Sequence, residues 1–288
     1  MIEVPYGYGF VGPNRGEARG PRRYMEAGAD RLLRSMGFEV STETLERRTQ
    51  TGDILPAVVD GSRCLATSVF HSSETGEFPI VLSGGCSACL GILSGLSANV
   101  GIIWFDAHGD FNTPETSRSG FFDGMSLAVA TGFCYRNLWY QVTSAPPVAP
   151  AKTLLAGVRD LDPGERENVD RSGLLVVTAS QIKTPGVREA FIGTLEDLRA
   201  RVSEIYLHLD IDVLDPEFAP AVDYPTPNGL TVEEVEDAFQ LIATKFLIRA
   251  AALTAYNPDR SGDELTVACG LRVLLALAQA ASQKRNNS

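Results

Sequence analysis

The run Val100-Gly-Ile-Ile-Trp-Phe105 is apolar from end to end and stops at Asp106-Ala-His108-Gly-Asp110. A short apolar run without alternation marks a strand covered on both faces, which is the strand of a parallel sheet in an α/β domain. The same punctuation recurs along the chain. Pro79–Leu82 runs into Ser83-Gly-Gly-Cys86, Thr153–Val158 into Arg159-Asp160-Leu-Asp162, and Ile205–Leu209 into Asp210-Ile-Asp212. Helical patterns stand between such strands: Val187 to Val202, a helix opened by the capping box Thr231-Val-Glu-Glu234 and running to Phe246, and a closing helix from Glu264 to Ser282. Repeated strand-then-helix units predict one α/β domain over residues 1–288, three layers (α/β/α) around a mostly parallel sheet. Such sheets build their sites beyond the carboxyl ends of the strands, so these acids, the imidazole and the thiol are expected to converge.

The remaining segments read as follows. Pro21 to Met36 is predicted to be one helix with proline in its first turn, and Phe38–Val40 and Val58-Val59 short strands joined by loop. Cys86 to Ala98 and Met125 to Gly132 are predicted helices, and Leu174–Val177 and Leu247–Thr254 strands.

Acidic residues outnumber basic ones by 36 to 25, a formal charge of −11, which argues against nucleic acid or an anionic membrane as partner. The amino-terminal residues lack a basic segment followed by an apolar one, and the apolar stretch Leu271–Ala281 is short for a membrane span and carries Arg272 and Gln279. Five cysteines, odd and sparse, point to a reducing, cytoplasmic compartment. Nothing in the sequence chooses between a monomer and a homo-oligomer.

Carboxylates and a neutral imidazole at D-x-H-x-D spacing are ligands for hard and borderline divalent cations. The competing reading is a polar turn with an incidental histidine. Gly7-Tyr-Gly9-Phe-Val-Gly12 spells a dinucleotide fingerprint, with Glu39 as a ribose-binding acid, but Pro13-Asn-Arg-Gly16 separates it from the next helical pattern. Cys86-Ser-Ala-Cys89 at a helix start admits a redox dithiol. His208, two residues before Asp210 on a strand, is either a satisfied core histidine or a hydrogen-bond partner behind a ligand. His71 reads as an exposed loop residue, Asp215-Pro216 as a turn, and Arg22-Arg23 and Glu46-Arg-Arg48 as solvated charges.

Three motifs in this order resemble the arginase/agmatinase (ureohydrolase) family across essentially the whole chain. They are Asp106-Ala-His108-Gly-Asp110-Phe-Asn112-Thr-Pro with Ser119-Gly120 following, Gly157-Val-Arg-Asp160-Leu-Asp162-Pro-Gly-Glu165, and Asp210-Ile-Asp212-Val-Leu-Asp215-Pro216. The resemblance implies two Mn²⁺ per chain, which activate water to hydrolyse a guanidino compound to an amine and a urea. Carried over by position, Asp106 and Asp210 would bridge the ions. Cys86 and Asp110 would complete one ion's ligands, His108 and Asp212 the other's. Asn112 and Ser119 match positions that hold an α-carboxylate, and Asp162 and Glu165 match those facing an α-amino group. The resemblance therefore implies a small-molecule amino-acid substrate.

The chain departs from the family pattern at three places. Cys86 stands where the family has a ligand histidine, Asp123 where a loop histidine shuttles protons, and Ala255 where a glutamate holds the guanidinium. Asp123 is the candidate catalytic replacement. A thiolate with four aspartates leaves a divalent pair with one excess negative charge, so the ions become weaker Lewis acids, and the softer sulfur also suits Zn²⁺ or Fe²⁺. Arginine keeps its guanidinium charged, with a pKa above about 12, whereas an N-hydroxylated guanidine is less basic and reacts as the neutral form. These changes favour Nω-hydroxy-L-arginine, giving L-ornithine and hydroxyurea. Arginine, agmatine or a formimino amino acid are the alternatives within the family, and a metal-binding pseudo-enzyme is the alternative outside catalysis.

Overall fold

The computed structural model describes residues 1–7, 9–10, 16–47, 52–96 and 99–285. In chain order the elements are β1 (Ile2–Val4), α1 (Gly20–Glu26), α2 (Ala29–Ser35), β2 (Glu43–Thr44), α3 (Ile54–Glu74), β3 (Ile80–Ser83), α4 (Ala88–Gly95) and β4 (Gly101–Phe105). There follow α5 (Ser126–Ala130), α6 (Arg136–Val142), β5 (Thr153–Val158), α7 (Pro163–Ser172), β6 (Leu175–Thr178), α8 (Ala179–Lys183) and α9 (Val187–Arg199). The chain then runs through β7 (Glu204–Asp210), α10 (Val232–Lys245), β8 (Leu247–Thr254) and α11 (Asp263–Arg285). The strands form one sheet in the order β2-β1-β3-β8-β7-β4-β5-β6, and every pairing is parallel.

Alternating strand residues feed two cores, one on each face of the sheet. Ile103 and Phe105 of β4 and Leu207 and Leu209 of β7 pack with Leu33, Phe191, Leu195, Phe239 and Leu274 from α2, α9, α10 and α11. Ile102, Trp104 and Tyr206 face the other way, against Leu65, Leu90, Leu127 and Trp139 from α3 to α6. This is the expected three-layer α/β/α fold. The sheet order also shows where the site belongs. After β3 the chain leaves a gap before laying down β4, and β7 and β8 later fill it. The carboxyl ends of β3, β8, β7 and β4 are therefore neighbours; Cys86, Ala255 and Asp106 follow β3, β8 and β4, and Asp210 is the last residue of β7.

Several local expectations are corrected. The helix expected over Pro21–Met36 is two helices, because Gly28 takes φ +95° and breaks the hydrogen-bonded ladder between them. Phe38–Val40 carries no regular structure, and Val58-Val59 lies inside α3, a 21-residue helix. That helix buries Ala57, Val58, Gly61, Leu65 and Val69, a three-and-four spacing that a short valine pair conceals. His71 sits in its last turn and is exposed. Helix α7 was not anticipated. By length and composition alone, Asp263–Gln283 of α11 could cross a membrane, contrary to the reading of Leu271–Ala281. Here α11 packs along α10, α2 and β8, with Val273, Leu274 and Leu277 fully buried. Of the glycine fingerprint Gly7–Gly12, positions 8, 11 and 12 lie outside the described residues, as does Arg48.

Candidate metal centre and substrate cavity

Register places the acids side by side. Phe105 of β4 pairs with Leu209 of β7, and Asp210 pairs with Thr254 of β8, so Asp106, Asp210 and Thr254 sit at one level across three strands. The Asp106 Oδ1 accepts the His108 N–H at 2.7 Å, and its Oδ2 accepts the Trp104 indole N–H at 2.9 Å. Asp210 Oδ1 accepts the Asp212 N–H at 2.9 Å, and Asp212 Oδ1 accepts the Ala107 N–H at 3.1 Å. Each carboxylate is thus oriented by a backbone donor two or fewer residues from another member of the cluster.

Two sets of converging donors result. Atoms of Cys86, Asp106 and Asp210 lie within 4.8 Å of one another, and so do atoms of Asp106, His108 and Asp212. Asp106 belongs to both sets. Cys86 Sγ stands 3.0 Å from Asp210 Oδ2 and 3.3 Å from the Thr254 hydroxyl. His108 Nδ1 is 3.0 Å from Asp212 Oδ2, and its Nε2 faces the Thr226 hydroxyl at 3.4 Å. Asp110 is held at φ +46° on the wall of the same cavity, and its Oδ2 is buried without a hydrogen-bond partner.

The electrostatics of the cluster call for cations. Burial, with Asp212 beside it, pushes Asp106 up to about 6. Burial and neighbouring aspartates push Asp110 and Asp210 well above the usual carboxylate range. Asp212 alone goes down: burial opposes this, but His108 outweighs it. His108, against its own desolvation, is raised to about 12 by Asp212 and Asp106. Buried like charges that cannot all ionise are stabilised by a bound cation, and an orphaned carboxylate oxygen has a use as a ligand atom. The donor set, four carboxylates with one imidazole and one thiol, fits a pair of divalent ions.

The other expected residues line the same cavity. Asn112, Ser119, Asp123, Asp162 and Glu165 are all on its wall, with Ala255. Glu165 is 4% exposed, and its two oxygens accept the Phe111 N–H at 2.9 Å and the Asp162 N–H at 3.2 Å. It therefore clamps the loop that carries Asp110 to the start of α7, where Asp162 and Glu165 form a capping box. Asn112 reaches Asp162 at 3.4 Å and accepts from the Thr116 hydroxyl. Asp123 is buried, with its oxygens accepting the Ser87 N–H at 2.8 Å and the Gly9 N–H at 3.1 Å. It ties the Cys86 turn to the amino-terminal loop as a fixed group.

Three contributors escaped the sequence reading. Arg159 donates to the carbonyls of Asp212, Val213, Leu214 and Thr226, which fixes the turn carrying Asp212. Thr254 bridges Cys86 to His208, whose Nε2 is 3.3 Å from the hydroxyl. Glu17 is a buried acid on the cavity wall. His208 itself is a satisfied core histidine, bonded to Tyr206 at 2.7 Å and stacked on Trp104 with ring centroids 3.5 Å apart. Burial pushes the Cys86 and Cys89 thiols well up, the reverse of an activated redox dithiol.

Comparison with known proteins gives a consistent picture. A family model described as "Arginase family" matches residues 1–279. The arginase of Bacillus caldovelox is 33% identical over 286 residues, covering 94% of this chain and 95% of that one. The crystal structure of arginase from Bacillus subtilis superposes with a TM-score of 0.87 at 32% identity, covering 96% of each chain. Entamoeba histolytica arginase, solved in complex with L-ornithine, superposes with a TM-score of 0.85 at 25% identity over 96% of each chain.

Proposed function

The chain belongs to the arginase family, and from that premise we propose that it hydrolyses Nω-hydroxy-L-arginine to L-ornithine and hydroxyurea with two Mn²⁺ per chain. At the coarser level it is a hydrolase of guanidino C–N bonds. The finer reading is carried by one observation: the cavity wall has only the methyl of Ala255 where the family resemblance puts the glutamate that holds a guanidinium cation. A substrate that reacts as a neutral N-hydroxyguanidine does not need that anion.

Cys86, Asp106, Asp110 and Asp210 would hold one ion, and Asp106, His108, Asp210 and Asp212 the other. Such ions supply Lewis acidity and a lowered pKa for water. The protein's own groups do the rest. Trp104 and the His108 N–H orient Asp106, Glu165 fixes the Asp110 loop, and Arg159 fixes the Asp212 turn. Asn112 and Ser119 would receive the substrate's α-carboxylate, and Asp162 and Glu165 its α-amino group. The ornithine complex of the Entamoeba histolytica arginase supports an amino acid as the species bound. Asp123, held by two backbone donors, would take part in proton transfer from a fixed position rather than by swinging. The reducing, cytoplasmic setting fits five cysteines that are all free.

The test is direct. Protein purified without added metal is analysed for bound ions, loaded with Mn²⁺, and assayed separately on Nω-hydroxy-L-arginine and L-arginine. Two ions per chain and a higher kcat/KM on the hydroxylated substrate are expected. Faster turnover of arginine defeats the substrate assignment, and no turnover of either favours the pseudo-enzyme.

A further inference from the structure

The 3₁₀ turn Gly16–Arg19, just ahead of α1, brings a buried carboxyl to the cavity. Glu17 is 5% exposed and shares the cavity wall with Cys86, Asp123, Asp223 and Ala255. Its backbone is clamped from both sides. A Cβ on Gly84 would lie 2.8 Å from the Glu17 carbonyl oxygen, and one on Gly20 would collide with the Tyr256 carbonyl. The Gly16 N–H donates to Asp259 at 2.8 Å. Gly84 leads out of β3 towards Cys86, and Tyr256 follows Ala255 out of β8, two strands that pair directly. Glu17 is therefore fixed over the seam between those strand ends, beside the position where Ala255 offers only a methyl.

The surroundings of this acid differ from those of a metal ligand. Glu17 shares the cavity wall with the carboxyl of Asp223, which acts on it as a nearby like charge. Asp223 in turn accepts from Asn257 Nδ2 at 2.8 Å and from Arg260 Nε at 2.6 Å. The pairing with Arg260 favours the charge on Asp223, and an anion there disfavours a second one on Glu17. Burial, with Asp223, Asp123 and Asp212 nearby, pushes Glu17 in the same direction, well above the usual carboxylate range. A carboxyl that keeps its proton both gives and takes hydrogen bonds, as an N–OH group does. A guanidinium cation offers donors only and calls for an ionised partner.

We propose that Glu17 contacts the hydroxyguanidino end of the substrate, taking the place left by Ala255, and sets the preference for an uncharged N-hydroxyguanidine. This rests on the substrate assignment above, and the test separates the two. Metal-loaded wild type, Glu17→Gln and Glu17→Ala are titrated calorimetrically with N-hydroxyguanidine and, separately, with L-ornithine. Kinetics on Nω-hydroxy-L-arginine and L-arginine run alongside. Glu17→Ala should weaken N-hydroxyguanidine about 10- to 100-fold, the range for a buried hydrogen bond lost to a ligand, and lower kcat/KM on the hydroxylated substrate by a similar factor. Ornithine affinity and metal content should stay within about twofold. Glu17→Gln, which keeps the shape and both hydrogen-bonding roles, should recover part of the loss. Unchanged N-hydroxyguanidine affinity in Glu17→Ala, or an equal loss for ornithine, overturns the contact. A wild-type enzyme that prefers arginine overturns the substrate assignment and the claimed preference. The contact itself then stands only if the selective loss for N-hydroxyguanidine persists.

Discussion

Removing the Glu165 carboxyl should loosen the metal loop before it affects anything else. Both oxygens are committed to backbone donors, the Phe111 N–H at 2.9 Å and the Asp162 N–H at 3.2 Å, in a residue 4% exposed. Glu165→Ala strands the buried Phe111 N–H, at about 1–3 kcal/mol, and leaves the half-buried Asp162 N–H to water at a smaller cost, so roughly 1–4 kcal/mol in total. Glu165→Gln keeps one acceptor oxygen but turns an NH₂ towards the other donor, so it should lose about half of that. For a domain this large, about 2–4 °C of melting temperature accompanies each kcal/mol, which puts Glu165→Ala roughly 2–16 °C below wild type. Thermal unfolding with and without Mn²⁺, with a metal titration beside it, provides the assay. Weakened metal binding is also expected if Asp110 is a ligand as proposed, because Phe111 follows it directly. The close fit offers a second perturbation: a Cβ on Gly109 would meet the Glu165 Oε1 at 2.7 Å, so Gly109→Ala should displace the same clamp. If Glu165→Ala melts within 1 °C of wild type and binds metal normally, the carboxyl is not a clamp.

Because Asp106 belongs to both donor sets, Asp106→Ala should abolish binding of both ions, whereas Cys86→Ala should cost chiefly one, as measured by metal content after dialysis. Cys86→His should raise metal affinity and shift turnover towards arginine, although Thr254, 3.3 Å from the sulfur, must yield to the larger ring at about 1–3 kcal/mol of stability. A gain in neither would mean that Cys86 is not a ligand. For metal-free protein, acids raised in the folded state, Asp106 to about 6 and Glu165 to about 7, bind protons more tightly folded than unfolded. Their contribution is present at low pH and lost as pH rises through about 4 to 7, so denaturant midpoints should fall across that window. Bound metal should remove or reverse that slope.

The strand ends could be read from the sequence because a doubly covered parallel strand announces itself as an unbroken apolar run, and its carboxyl end is where the polar residues begin. That rule groups Cys86, Asp106, His108, Asp110, Asp210 and Asp212, and the two donor sets around Asp106 bring all of them but Asp110 together. Elements that lacked a strong apolar signal were missed. Helix α7, Pro-Gly-Glu-Arg-Glu-Asn-Val-Asp-Arg-Ser, buries only Glu165, Asn168 and Val169, so no apolar stripe reveals it. Its capping box, Asp162 with Glu165, is the same start signal as Thr231 with Glu234, but without an apolar run behind it the pair does not mark a helix in the sequence. Glu17 and Thr254 carry no motif. They become part of the cavity only because one 3₁₀ turn crosses the β3–β8 seam and because β8 lies in register with β7. Contacts made by tertiary packing between distant segments leave no local periodicity to find.

A cavity with a thiol among its proposed metal ligands and no guanidinium-holding carboxylate at 255 should select the hydroxylated substrate. A competition assay tests it most directly: equal concentrations of Nω-hydroxy-L-arginine and L-arginine are given to one Mn²⁺-loaded sample, and hydroxyurea and urea are quantified at early times. Their ratio is the ratio of the two kcat/KM values. Hydroxyurea in large excess is expected, and urea in excess would show that the site does not select the hydroxylated substrate.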